Sequence, residues 1–571
     1  MVVEKRDGLQ SSDIGRRTLL RGVAGLTGAA AILAKTDASA AEADVGSAAS
    51  SSLDDVRAGD GLARTSTRQG EVEGYISGGI ATFKGLPYGD HTGGDNRFMP
   101  PRPPKPWTGV RSSRSYGPVA PQDKGTGRLN DEEAFIFNWN DSVEGEDCLR
   151  LNIWTPGIDG ERRPVMVWLH GGGFAAGSGH DLPAFDGENL ARRGDVVVVS
   201  LNHRLNLLGF LDLSAYGDRY ARSANVGMLD IVAALEWVRD NIQAFGGDPD
   251  RVMIFGQSGG GAKVSVLMGM PAAKGLFHRA AVMSGSFGMT NSRETSRRLT
   301  RLLVAELGLA DGDVEQLRAM PYERLRAAAD AMLRRENRPF PGFVDVRAAS
   351  ARLDFAPTVD GTDLPAAPFR PDAPSLSSAV PMLIGSTLNE FVSGINQPAI
   401  EAMDEGELQS RAERFAPGQG ARVVAAFRAT TPDASPFDLW SRIATAPVRQ
   451  SAIDQARIKA TAGAAPAYLY WFTWRTPVLD GRPRAFHCLD IPFVFANTDR
   501  CASMTGGGMR ARDLANRMSD AFVAFARTGD PNGSGLPQWP PFKVGAERCM
   551  IFDDRPRAEE LTDAAERNSV A

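Results

Sequence analysis

Val252-Met253-Ile254-Phe255-Gly256-Gln257-Ser258-Gly259-Gly260 is the stretch on which the fold turns. Four consecutive apolar residues are too few for a helix and suit a strand buried on both faces. They run directly into G-x-S-x-G, and residues 262–268 continue in a helical pattern. The bare pattern is weak evidence, but a strand before it and a helix after it give it a mechanical meaning. A strand-to-helix turn this sharp lifts the Ser258 hydroxyl above the sheet edge. Side chains two positions to either side would collide across the bend, which accounts for Gly256 and Gly260. The helix that follows directs its positive end at any negative charge developing there.

Outward from this turn, short apolar runs alternate with helical patterns. Residues 165–169, 196–199, 280–283, 380–384 and 467–472 read as further strands. Residues 228–245 carry apolar positions at helical spacing and stop at Gly246-Gly247-Asp248-Pro249. Such alternation predicts an α/β fold with a large, mostly parallel sheet covered by helices. Segments near 290–350 and 400–460 are rich in Ala, Arg and Leu and read as helical insertions above the sheet. No internal repeat of fixed period is present.

A serine hydroxyl needs a base to become a nucleophile. The 571 residues include six histidines: His91, His170, His180, His203, His278 and His487. In strand–turn–helix enzymes of this kind the chain order is Ser, acid, His. His278 follows Ser258 too closely to leave room for an acid-bearing strand, so His487 is the candidate base. The acid belongs at a strand end between them. Glu390, shortly after Pro381-Met382-Leu383-Ile384-Gly385, fits, and Asp360 in Val359-Asp360-Gly361 is its competitor, although Asp-Gly reads as a turn. His170-Gly171-Gly172-Gly173-Phe174 follows the strand at 165–169 and matches an HGGG-type loop, whose backbone N–H groups can hold an oxyanion.

Composition excludes several other classes. The hydrophobic fraction is 42% and the charged fraction 23%, ordinary globular usage. Lys+Arg number 64 against Asp+Glu 69, a net charge of −5, so there is no basic footprint for nucleic acid. The four cysteines, Cys148, Cys488, Cys501 and Cys549, have no C-x-x-C spacing, so neither a disulfide scaffold nor a zinc site is expected. No metal or organic cofactor is implied. The proline-dense stretch 98–107 reads as a rigid surface turn.

Residues 1–40 read as an address rather than as fold. Gly15-Arg16-Arg17-Thr18-Leu19-Leu20-Arg21 precedes a short Gly/Ala-rich apolar run, and Ala38-Ser39-Ala40 supplies small residues for cleavage. The run is too short to span a bilayer and the arginine pair suits the twin-arginine route, so a periplasmic or secreted protein is expected. Residues 41–67 read as a flexible linker, leaving 68–571 as one catalytic domain. No later segment is long and apolar enough to span a membrane.

With these pieces placed, the chain resembles the type-B carboxylesterase (carboxylesterase/cholinesterase) family of α/β-hydrolases. The resemblance runs from about residue 72 to 542. It includes Phe83-Lys84-Gly85-Leu86-Pro87-Tyr88, Glu146-Asp147-Cys148-Leu149-Arg150-Leu151-Asn152-Ile153, the approach Asn241 to Pro249 into the serine turn, the segments around Glu390 and His487, and Phe525-Ala526-Arg527-Thr528-Gly529-Asp530-Pro531. It implies an α/β-hydrolase fold and a serine hydrolase acting on small-molecule carboxylic esters. Ser258 would be nucleophile, Glu390 acid and His487 base, with oxyanion donors at the N–H groups of Gly172, Gly173 and Gly259. Ser284, in Val282-Met283-Ser284-Gly285, resembles the family's serine near the triad. Three departures stand out. Gln257 replaces the usual Glu before the serine, which removes a fixed negative charge and weakens the case for a cationic substrate. Ala120 stands where the partner of Cys148 is expected, so Cys148 reads as a buried free thiol, while a Cys488–Cys501 bridge stays open. His203 stands where the family tends to have Tyr. The same machinery would also serve amides, carbamates or thioesters. A non-catalytic binding module is a rival that the filled triad positions disfavour.

Overall fold

The computed structural model describes residues 55–122, 130–140, 142–286, 288–310, 312–337, 352–533 and 535–570. The expected export signal at 1–40 and residues 41–54 of the expected linker lie outside the described residues. The linker reading does not extend to residue 67. Val56–Arg57 and Arg64–Thr67 are strands, the first paired antiparallel with Tyr75–Ser77 and the second with Gly70–Glu73. Neither buries an apolar face, Val56 itself being exposed, so backbone pairing orders them and no hydrophobic period announces them.

Among the described residues twelve strands form the central sheet. In chain order they are β1 (Val56–Arg57), β2 (Tyr75–Ser77), β3 (Ile80–Pro87), β4 (Arg150–Thr155), β5 (Arg163–Leu169), β6 (Val197–Leu201), β7 (Gly247–Gln257), β8 (Arg279–Met283), β9 (Met382–Thr387), β10 (Ala467–Phe472), β11 (Arg548–Phe552) and β12 (Arg557–Glu560). Across the sheet they lie in the order β1-β2-β3-β4-β6-β5-β7-β8-β9-β10-β11-β12. Every pairing from β6 to β11 is parallel, and the pairings outside that block are antiparallel. The exchange of β5 and β6 puts the strand that feeds the glycine loop beside the strand that feeds Ser258. Their register, Gly256 opposite Leu169, brings both C-terminal ends to one edge.

The valine-rich runs are strands because both of their faces are covered. Along β5, Val165, Val167 and Leu169 enter one apolar core while Met166 and Trp168 enter the other. β7 divides in the same way, Val252 and Ile254 against Met253 and Phe255, as the two-residue period of a strand requires. Helices α2 (Val226–Asn241) and α3 (Gly259–Met268) cover the first face. α1 (Glu188–Gly194) and α9 (Met509–Thr528) cover the second. Between them along the chain lie α4 (Arg293–Glu306) and α5 (Tyr322–Glu336), then α6 (Glu405–Phe415), α7 (Gly420–Thr430) and α8 (Pro436–Ala462). α6, α7 and the first half of α8 build a small core of their own. Ala452, Ile453 and Ala456 of α8 instead pack into the main core below β9 and β10.

Candidate active site

The site grows from the carboxyl ends of β5, β7, β9 and β10. β7 ends at Gln257, and Ser258 takes φ 58°, ψ −124°, a conformation forced on a non-glycine residue by the immediate start of α3. The glycines around it are there for close approach. A Cβ at Gly256 would lie 2.5 Å from the Gly260 carbonyl carbon, and one at Gly260 would overlap the Leu169 carbonyl oxygen. Ser258 N–H donates to the Met283 carbonyl at 2.8 Å, which ties the turn to β8.

Glu390 and His487, the expected acid and base, are held to each other by backbone as well as by side chains. Glu390 lies three residues past β9 with φ 37°. Its Oε1 accepts from Thr387 N–H at 2.8 Å, and its own N–H donates to Thr387 Oγ1 at 3.2 Å. Its carbonyl accepts from His487 N–H at 2.7 Å, and its Oε2 lies 2.5 Å from His487 Nδ1. Asn389 adds a clasp on the same strap, donating its N–H to the Ala485 carbonyl at 3.0 Å and accepting from Ala485 N–H at 3.1 Å. Phe391 stacks on the imidazole at 3.8 Å. Glu390 and His487 are legible in the sequence, whereas Asn389 and Phe391 meet their partners here only once the two loops are adjacent.

The competitors lie elsewhere. Asp360 Oδ1 accepts from the Thr362 and Leu364 N–H groups at 2.8 and 3.0 Å, so it closes a turn. His278 accepts from Val252 N–H at 3.2 Å, six residues before Ser258 on the strand. His170 and His203 stack at 5.0 Å, each with Nδ1 on a neighbouring carbonyl, and burial holds both imidazoles well below the ordinary histidine range.

Gly172 and Gly173 have φ of +80° and +62°, which only glycine adopts at no cost in succession. A Cβ at Gly259 would overlap the Gly173 backbone, so the loop and the start of α3 face each other at contact distance. Among the described residues no protein acceptor takes up the N–H groups of Gly172, Gly173 or Gly259. Ser284 is buried beside this turn with φ 46°, and its Oγ has no hydrogen-bond partner.

Gln257 is the unexpected neighbour. Its Nε2 lies 3.2 Å from His487 Nδ1 and 3.1 Å from Nε2, while its Oε1 accepts from the Cys488 thiol at 3.2 Å. Ser258 and His487 border the same cavity without a hydrogen bond between them, a contact that in resting enzymes is often completed only with substrate in place. All four cysteines are free thiols, and Cys148 is fully buried. The cavity has a volume of about 830 Å³ and is lined by apolar side chains, among them Phe137, Trp139, Phe185 and Ile491, interleaved with polar ones; Glu133, Glu144, Asp181 and Glu390 border it, with no Lys or Arg among its described lining residues. Among the described residues no group of three His, Cys, Asp or Glu side chains could hold a metal ion, and no helix is long and apolar enough to cross a membrane.

Residues 62–570 match the carboxylesterase family model. The chain is 35% identical over 514 residues to the phenmedipham hydrolase of Pseudarthrobacter oxydans, covering 88% of this chain and 98% of that one. It is 32% identical over 506 residues to the para-nitrobenzyl esterase of Bacillus subtilis (strain 168), covering 88% and 97%. Among solved structures, an esterase from Clostridium hathewayi described as hydrolysing aliphatic aromatic polyesters superposes with a TM-score of 0.77 at 38% identity, over 90% of this chain and 98% of that one. The Geobacillus stearothermophilus carboxylesterase EST55 superposes at 0.73 and 36%, over 89% and 100%. Sharing sequence and fold with these esterases along nearly their whole length, the chain belongs to the type-B carboxylesterase family of α/β-hydrolases and is a carboxylic ester hydrolase.

Proposed function

We propose that this is an exported serine esterase working through an acyl-enzyme, with Ser258, His487 and Glu390 as its triad. Ser258 Oγ attacks the ester carbonyl while His487 Nε2 takes its proton. Glu390, on Nδ1, fixes the tautomer and stabilises the imidazolium. The N–H groups of Gly172, Gly173 and Gly259 receive the oxyanion. His487 then protonates the leaving alcohol, and water activated by the same imidazole releases the acid. The observation that carries this reading is the 2.5 Å contact between Glu390 and His487 on the cavity that Ser258 also borders.

The cavity favours neutral esters with apolar acyl or alcohol parts. Glu133 and Glu144 on its border, with no Lys or Arg among the described lining residues, oppose anionic esters. Export rests on the arginine pair and apolar run of residues 15–34. A fluorophosphonate probe should label wild type at Ser258 and leave Ser258→Ala unlabelled and inactive. Turnover by Ser258→Ala at near wild-type rates would refute the nucleophile. N-terminal sequencing of the protein recovered outside the cytoplasm should begin near residue 41, and retention of residues 1–40 there would refute the signal.

A further inference from the structure

Lys263 is a fully buried lysine one turn into α3, in a helix whose other residues are small or apolar, apart from Ser265. Stripping water from an ammonium costs several kcal/mol unless the site returns it in specific contacts. The contacts here are two carbonyls of the glycine loop. Nζ donates to the His170 carbonyl at 2.8 Å and lies 3.5 Å from the Gly171 carbonyl. The Gly171 carbonyl also receives His170 Nδ1 at 2.9 Å. That carbonyl belongs to the same peptide unit as the Gly172 N–H, one of the three oxyanion donors. Hydrogen bonds to a peptide oxygen polarise its N–H outward. Lys263 and the Gly259 N–H are carried by one helix, while Gly172 and Gly173 belong to the loop that Lys263 grips.

We propose that Lys263 is a positioning residue for the oxyanion site: by fastening the His170 and Gly171 carbonyls to α3, it sets the loop's N–H donors against the Gly259 N–H and adds a positive charge behind them. The proposal rests on the acyl-enzyme reading above. The groups facing the ammonium are Asp181 from the loop after the glycines, the neutral imidazoles of His170 and His203, and the Phe174 ring at 5.9 Å. Burial draws Lys263 down to about 7, Asp181 pulling the other way, while burial pushes Asp181 up to about 7. As pH rises through this range the clamp loses its charge, so kcat should decline on the alkaline side.

Lys263→Met keeps the length and removes the donor and charge. In the full chain it should lower kcat about 10–100-fold, with KM moving less than about threefold, and should abolish the alkaline decline. Wild-type kcat and an unaltered pH profile would overturn the proposal. Should Lys263→Met fail to fold, Asp181→Asn decides. Removing the carboxylate disfavours the ammonium, so the alkaline decline should move to lower pH, and an unmoved profile overturns the proposal. Ser258→Ala, run alongside, keeps the two readings apart. Activity in that variant would refute the acyl-enzyme scheme, whereas an inactive Ser258→Ala with an indifferent Lys263→Met refutes only the clamp.

Discussion

The residue that most distinguishes this site is Gln257. With its oxygen on the Cys488 thiol, its nitrogen faces the His487 ring, so the position supplies a neutral donor beside that imidazole. Gln257→Glu would exchange that donor for a carboxylate on the cavity's border. Positively charged esters should therefore gain several-fold over neutral ones of equal size. A matched pair of cationic and neutral esters checks this, and an unchanged preference would mean that the position is electrostatically silent to the substrate. Glu390 makes a separate case. Its two oxygens are divided between Thr387 N–H and His487, so Glu390→Gln preserves the shape but, in the proposed triad, loses the charge that holds the tautomer. We expect kcat to fall about 10³–10⁴-fold with the melting curve little changed, read from initial rates and circular dichroism.

Elements place these residues, and the elbow between β7 and α3 has the least room. A Cβ at Gly260 would overlap the Leu169 carbonyl oxygen of β5, which is backbone of a buried strand and cannot swing away. Gly260→Ala should therefore cost about 1–3 kcal/mol of stability, with loss of activity in the fraction that folds, measured by denaturant titration. The sequence made this turn legible because its geometry demands glycine at fixed spacing, and it made β5, β6 and β7 legible because double-sided burial leaves unbroken apolar runs. It left β3 and β4 obscure as strands. Asn152 in β4 spends its side chain on Gly85 N–H at the irregularity in β3, so the hydrophobic period is interrupted where the two strands meet. Asn389, Phe391 and Cys488 were silent for a different reason, since their partners at the site, Ala485, His487 and Gln257, lie about a hundred residues or more away along the chain. Lys263 did leave a signal, one charge among apolar and small neighbours, but its target becomes visible only when α3 and the glycine loop are side by side.

At the scale of the whole molecule, a parallel sheet gathers its loops at one edge, and the chemistry collected there includes ionisable groups in dry surroundings. Asp490 is the clearest stability cost of that arrangement. It lies three residues past His487, fully buried, with Oδ2 accepting from Tyr470 Oη at 2.8 Å and Oδ1 without a partner. Burial pushes its carboxyl up to about 7, and the charge on Glu390 pushes in the same direction. The folded chain therefore keeps a proton that the unfolded chain has already released above about pH 4. Stability must fall as pH rises from there, until the folded-state carboxyl ionises near 7, and then level off. Asp490→Asn removes the titration while retaining a polar group opposite Tyr470. Between pH 5 and pH 8 the wild type should lose about 3 kcal/mol through this one group, and the variant should be spared that loss. The difference should grow with pH, so urea titrations of the pair at pH 5 and pH 8 test it directly. An equal stability difference at both pH values would mean that Asp490 is ionised throughout, and the buried carboxylate would then need a partner other than Tyr470.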